Sequence, residues 1–195
     1  MGAETLKSLL DLTAFAMAQQ DVRYFLNGML LEESEGQLRS VATDGHRLAL
    51  NQVALSAQRD DGIGQVIVPR KGVIEMQRLL SDSPDDVEVS VSSSHLCLSS
   101  GPFVLTTKLV DGRFPDYQRV IPKDGDKIIL ADKLELKRAL NRTSILSNEK
   151  FRGVRVQFKS GLIEISTNNP EQEDAEESLP VEYDGPELEL SLIHI

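Results

Sequence analysis

Gln65-Val66-Ile67-Val68-Pro69-Arg70-Lys71-Gly72-Val73-Ile74-Glu75-Met76 decides how the first half of the chain is built. Four residues of strand character run into a proline. From that proline Val73, Ile74, Met76 or Gln77, and Leu80 recur at helical spacing, until Ser81-Asp82-Ser83-Pro84 stops the pattern. Upstream, residues 26–32, 37–43 and 48–53 are short apolar runs broken by Glu33-Ser34-Glu35-Gly36 and Asp44-Gly45, both turn chemistry. Downstream, residues 87–91, 95–99 and 103–109 are three more. An amphipathic helix over 5–19 precedes them all, with Leu6, Leu9, Leu10, Thr13 and Met17 on one side. Helix, strands, helix, strands is an α+β pattern and not a βαβ alternation.

Residues 111–127 hold two prolines and several turn residues, and form a tight peptide leading into a connector. A second unit starts near Asp126. A strand over 127–130 leads to Asp132, an N-cap with Glu135 three residues later, and then a helix through Leu136, Leu140 and Thr143. Leu38-Arg39-Ser40-Val41-Ala42-Thr43-Asp44 lies 125 positions before Ile163-Glu164-Ile165-Ser166-Thr167-Asn168-Asn169, each following a helix at a matching distance. Such long-period similarity indicates duplicated domains.

The 195 residues are 40% hydrophobic and 27% charged, an ordinary globular composition. No apolar run is long enough to span a membrane and no basic-then-apolar leader opens the chain, so the expected location is cytoplasmic. The single cysteine, Cys97 between Leu96 and Leu98, excludes a disulfide framework and a thiolate metal cluster, and is expected as a small buried hydrophobe. No metal and no cofactor is expected. The net charge of −10 argues against nucleic-acid binding if only the sum is counted. The distribution is uneven, however. Lys7, Arg23, Arg70, Lys71, Arg78, Lys133, Lys137, Arg138 and Arg142 lie in or beside helices, while acids gather in turns and in the stretch 171–177.

Three stretches resemble the bacterial beta sliding clamp family, the processivity subunit of DNA polymerase III. They are Asp21-Val22-Arg23-Tyr24-Phe25-Leu26-Asn27-Gly28 with Val41-Ala42-Thr43-Asp44-Gly45-His46-Arg47-Leu48; Lys108-Leu109-Val110-Asp111-Gly112-Arg113-Phe114-Pro115-Asp116-Tyr117; and residues 145–155 with Asn168-Asn169-Pro170-Glu171-Gln172-Glu173. The resemblance runs in register from about residue 4 to about residue 190. It implies the DNA-clamp fold, with repeated domains carrying helices on one face of antiparallel sheets. Residues 1–121 would be the middle domain and 125–195 a partial last domain, with no first domain present. Residues 191–195 do not resemble the family's continuation, and the expectation is a truncated second domain ending in a non-native tail.

The resemblance also implies a function: a ring-shaped homodimer that encircles duplex DNA without reading sequence, tethers DNA polymerase III, and takes the clamp loader and other clamp-binding-motif proteins as partners. This fragment would not close a ring. Basic helix faces would meet phosphate inside the ring and acids would lie outside. The positions matching DNA contacts are Gln20, Arg23, Tyr24, Arg70 and Lys71. Those matching a hydrophobic peptide pocket between the middle and last domains are Leu26, Thr43, Gly45, His46, Arg47, Leu48, Pro115, Arg119 and Val120. Ile145, Leu146 and Phe151 match the seam between ring subunits.

The residues alone leave other readings open. Thr43-Asp44-Gly45-His46-Arg47 holds an Asp/His pair, as in a hydrolase, but there is no Gly-x-Ser-x-Gly elbow and no metal cluster joins His46 to His95 or His194. Asp44-Gly45 also suits a simple hairpin turn. A third reading is an acidic protein–protein adaptor that has lost DNA binding. The chain is expected to have no catalytic residues and not to be an enzyme.

Overall fold

The first helix and the strands after it meet as their periodicities require in a computed structural model that describes residues 1–55, 62–81, 86–123, 125–147, 153–169, 171, 173 and 174–192. Helix α1 (Ala3–Ala14) turns Ala3, Leu6, Leu9, Leu10 and Thr13 inward. Strands β1 (Gly28–Ser34), β2 (Gln37–Thr43), β3 (Leu48–Ala54) and β4 (Gln65–Pro69) form an antiparallel sheet in the order β3-β2-β1-β4. Helix α2 (Arg70–Ser81) follows, then β5 (Glu88–Val91), β6 (His95–Ser100) and β7 (Phe103–Lys108), paired in that order.

The main core collects Leu6, Leu9 and Leu10 of α1, Met29, Leu31 and Val68 of the first sheet, Val73, Met76 and Leu80 of α2, and Leu96 and Leu98 of β6. Each such side chain contributes about 2–3 kcal/mol relative to exposure. Alternate residues of the first sheet, Leu30, Val41 and Ile67, face the other way and are covered by Phe114 and Tyr117. Burial on both faces explains why Met29, Leu30 and Leu31 follow one another in β1 instead of alternating with polar residues.

The chain divides into two compact units, Met1–Val120 and Ile121–Ile195. In the second, α3 (Lys133–Ser144) is capped by Asp132, whose carboxylate accepts the N–H groups of Leu134 and Glu135 at 2.9 Å. Strands β8 (Val154–Lys159), β9 (Leu162–Asn168), β10 (Asp174–Pro180) and β11 (Leu188–Leu192) form a sheet in the order β10-β9-β8-β11, the same plan as the first. Its core is Ala139 with Val154, Val156, Ile163, Ile165 and Leu179.

Several boundaries differ from the sequence expectation. Helix α1 ends at Ala14, not near Gln19. Ala16 and Met17 are buried, but their N–H groups reach the carbonyls of Thr13 and Ala14 in a tightened turn. Gln20, at φ 57°, then takes the chain out of the helical direction. Residues Tyr24–Leu26 form a 3-10 turn, so β1 begins two residues later than expected. Pro69 closes β4, opposite Gly28, and the helix starts one residue on. Of the expected strand over 127–130, a single bridge between Leu130 and Glu182 is formed. Cys97 is half-buried beside the Thr106 hydroxyl at 3.0 Å, because alternation gives the inner face to Leu96 and Leu98.

Candidate functional site

The turn between β2 and β3 is locked by its own side chains. Asp44 accepts the N–H groups of His46 and Arg47, both at 3.0 Å, and its second oxygen pairs with the Arg47 guanidinium at 3.1 Å. The Thr43 hydroxyl donates to the Arg47 carbonyl at 2.7 Å and accepts the Gly45 N–H at 3.1 Å. Burial pushes the Asp44 carboxyl up, but the two backbone N–H groups and the Arg47 charge outweigh it and hold it below its ordinary value. Gly45 has φ +89°, the left-handed region where a Cβ is strained. Arg47 also stacks over the ring of Phe15, 5.6 Å from its centre.

The segment after α1 is fastened to that turn. Arg23 grips the Asp21 carboxylate through two nitrogens, at 3.0 and 2.7 Å, and reaches the Asp44 carbonyl at 3.3 Å. A Cβ on Gly45 would meet the Arg23 guanidinium at 3.0 Å and displace it slightly, but it is the positive φ that calls for glycine here. The Arg23 hydrogen bonds hold Asp21 down at about 2. The Asn27 side chain accepts the Asp21 N–H at 2.9 Å and donates to its carbonyl at 2.8 Å. Arg70 donates its backbone N–H to the Asn27 carbonyl at 3.0 Å and its guanidinium to the Met17 carbonyl at 3.4 Å. The loop carrying Gln20, Arg23 and Tyr24 is thereby joined to the start of α2, where Arg70 is half-buried and Lys71 exposed.

A third segment lies on the outer face of the first sheet. Phe114 and Tyr117 are buried there, and the Tyr117 hydroxyl donates to Glu32 at 2.5 Å. Glu32 also accepts from Gln65 at 2.5 Å and lies 3.7 Å from Arg39. Burial alone would raise the Glu32 carboxyl, yet Tyr117, Gln65 and Arg39 together hold it below its ordinary value, while burial and the Glu32 bond push the Tyr117 phenol up. These anchors fix the 3-10 turn Tyr117–Arg119, which leaves Pro115, Arg119 and Val120 exposed. Leu48, half-buried, packs on the same apolar cluster as Phe114 and Tyr117. Pro115 and Arg119 border a groove of about 600 Å³ that also includes Leu30, Arg113, Phe114 and Tyr117.

The three groups of sequence candidates therefore fare differently. Thr43, Gly45, His46, Arg47 and Leu48 share one hairpin end, and Leu48 links it through the apolar cluster to the segment bearing Pro115, Arg119 and Val120. Leu26 is buried, and its carbonyl accepts the Ala18 N–H, so it braces the loop from beneath. Ile145 follows α3 and is 77% exposed, Leu146 is half-buried, and Phe151 lies outside the described residues. Glu177, within the acidic stretch, is taken by Arg142 at 2.5 and 3.0 Å. Sequence reading missed Phe15, Asp21, Asn27, Glu32 and Tyr117. Most of their partners lie elsewhere in the chain, and the quoted motifs carried no mark of them beyond Asp21, Asn27 and Tyr117 standing inside two of them. Among the described residues no group of His, Cys, Asp and Glu could hold a metal ion, and no helix is long and apolar enough to cross a membrane.

Residues 1–116 match the model for the DNA polymerase III beta subunit, central domain, and residues 118–193 that for its C-terminal domain. The chain belongs to the beta sliding clamp family. It is 54% identical over 185 residues to the beta sliding clamp of Pseudomonas aeruginosa, covering 95% of this chain and 50% of that protein. To the Escherichia coli K12 clamp it is 50% identical over 186 residues, again with 95% and 50% covered. A crystal structure of the P. aeruginosa DNA polymerase sliding clamp with ligand superimposes with a TM-score of 0.94 at 53% identity, over 98% of this chain and 52% of that one. A second, of the P. aeruginosa clamp bound to griselimycin, gives 0.92. The DNA-clamp fold, α+β with helices on antiparallel sheets, is therefore the fold of this chain. The chain spans about half the length of the curated relatives it matches.

Proposed function

We propose that residues 1–121 are the middle domain of a sliding clamp and 125–195 part of its last domain, and that the first of these carries a client-peptide surface. One observation supports this above the others: Leu48, from the β2–β3 hairpin, and Phe114 and Tyr117, from a segment far along the chain, share one apolar cluster. An apolar base with Thr43, His46, Arg47, Pro115, Arg119 and Val120 around it suits an extended peptide. Apolar burial supplies affinity at about 25 cal/mol per Å², and the polar rim sets register.

Gln20, Arg23, Tyr24, Arg70 and Lys71 are the DNA-facing set in this reading. Arg70 and Lys71 open α2, whose first turn holds no acid. Cations at a helix N-terminus are unfavourable by a few tenths of a kcal/mol, up to about 1; the Arg70 hydrogen bond to the Met17 carbonyl offsets this in part, whereas the exposed Lys71 has its natural partner in a phosphate backbone. Ile145, Leu146 and Phe151 would form the seam of a homodimeric ring around duplex DNA. That ring would tether DNA polymerase III, take the clamp loader and other motif-bearing proteins as partners, and work in the cytoplasm without catalysis or cofactor. Asp44 supports the non-catalytic reading, since both of its oxygens are spent on the turn and on Arg47.

The test is a fluorescence-anisotropy titration of a labelled peptide bearing glutamine and paired Leu/Phe anchors against the 195-residue chain and a Leu48→Asp, Val120→Asp variant. Saturable binding weakened about 30-fold or more in the variant is the expected result, because the new carboxylates would have to be desolvated against the anchors. Equal binding by both proteins would refute the surface.

A further inference from the structure

The groove of about 600 Å³ on the outer face of the first sheet continues from the proposed peptide surface, with Pro115 and Arg119 on its border. Leu30, Phe114 and Tyr117, buried in the same cluster as Val41 and Ile67, make the apolar part of its lining, beside polar Glu32, Gln65 and Gln118. Glu32 at the bottom is fully engaged by Tyr117, Gln65 and Arg39. Two arginines line the groove. Arg119 is paired with Asp116 at 2.8 Å, whereas Arg113 is exposed and has neither a hydrogen bond nor an ion pair among the described residues. The uncompensated charge offered to an incoming chain is thus one guanidinium.

We infer that the groove receives the part of a client peptide that lies beyond its hydrophobic anchors, and that Arg113 pairs there with a carboxylate of that flank. The inference rests on the peptide-surface reading above. Its chemistry is specific: a planar guanidinium takes a carboxylate through two parallel N–H bonds, which a neutral amide cannot match. Continuity through Pro115 and Arg119 means that a single extended chain occupies both places, with its apolar side chains on the hairpin side and its acidic flank in the groove.

Four peptides separate the possibilities: the anchor core alone, the core with Asp-Asp added at its N-terminus, the core with Asp-Asp at its C-terminus, and the better of these with Asn-Asn in place of the acids. Each is titrated by anisotropy against the full chain and its Arg113→Gln and Arg113→Lys variants. One acidic extension is expected to bind about five-fold tighter than the core, the upper range for an exposed ion pair. Asn-Asn and Arg113→Gln should each erase that gain, Arg113→Lys should keep part of it, and the core's own affinity should be the same in all three proteins. A core that binds while neither acidic extension helps, or a gain that survives Arg113→Gln or Asn-Asn, overturns the groove and leaves the peptide surface standing. Failure of the core itself to bind overturns both.

Discussion

Helices α1 and α3 are each twelve residues long, each lie against a sheet of the same strand order, and each hide a threonine whose hydroxyl donates to the carbonyl four residues earlier, Thr13 to Leu9 at 3.2 Å and Thr143 to Ala139 at 2.8 Å. Their surroundings differ. Helix α1 also packs against α2 and buries Ala3, Leu6, Leu9, Leu10 and Thr13, while α3 buries Ala139 and Thr143 and leaves Leu134 exposed. The difference teaches that a repeated local pattern sets where a helix forms, and that the number of layers around it sets how much each apolar residue contributes.

The largest effect should come from a matched pair of truncations. Leu10, wholly buried, and Leu140, half-buried, occupy the same place in the two helices. Leu10→Ala should destabilise its unit by about 3 kcal/mol and Leu140→Ala by about 1 kcal/mol, read from urea unfolding followed by amide signals of each unit. Equal losses would break the comparison, showing that the second unit is as tightly packed as the first.

A smaller difference is expected at the threonines. The single Thr13 proton is shared between the Leu9 carbonyl and the Ser40 hydroxyl at 3.0 Å, and Ser40 donates to the Leu9 carbonyl at 2.8 Å, so the Thr13 hydroxyl belongs to a buried network. The corresponding strand position in the second unit is Ile165, which offers no such partner. Thr13→Val should cost about 1–2 kcal/mol and Thr143→Val about 0.5 kcal/mol or less, by the same unfolding measurement. A reversed order would mean that the Ser40 network contributes nothing.

The smallest effect on stability, though a clear one by NMR, concerns two surface carboxylates, one in each unit. The hydrogen bonds of Arg23 hold Asp21 at about 2 against an ordinary 3.8, and those of Arg142 hold Glu177 below its ordinary value. Because the folded value of Asp21 is depressed, its contribution is complete above pH 3.8 and is lost as the pH falls towards 2. Carboxyl chemical shifts followed through that window should return Asp21 towards 3.8 in Arg23→Gln and leave Glu177 unmoved, with Arg142→Gln doing the converse. A shift of both carboxylates in either variant would couple the two units. Exposure and salt keep the effect on stability small.

The order of elements and the duplication were legible in the chain. Residues 37–43 and 162–168 form matching strands because their alternation is local and survives in any environment. Element ends were less legible. Ala16 and Met17 extend the apolar period of α1 without extending the helix, since burial by a loop and burial by a helix leave the same mark in a sequence. At the candidate site the hairpin from Thr43 to Leu48 was readable from its turn residues, but the burial of Leu26 beneath the loop was not, because a leucine carries no sign of which surface it will face.

Spacing of 2 and 3.6 residues, cap chemistry and the motifs that resemble the clamp family were thus determined by the sequence itself, as each depends on neighbours along the chain. Contacts made by closing long loops were decided by the tertiary structure. Arg23 lies against the Asp44 carbonyl across 21 positions, and Tyr117 reaches Glu32 across 85, pairings that exist only once the sheet has brought distant segments within hydrogen-bond range.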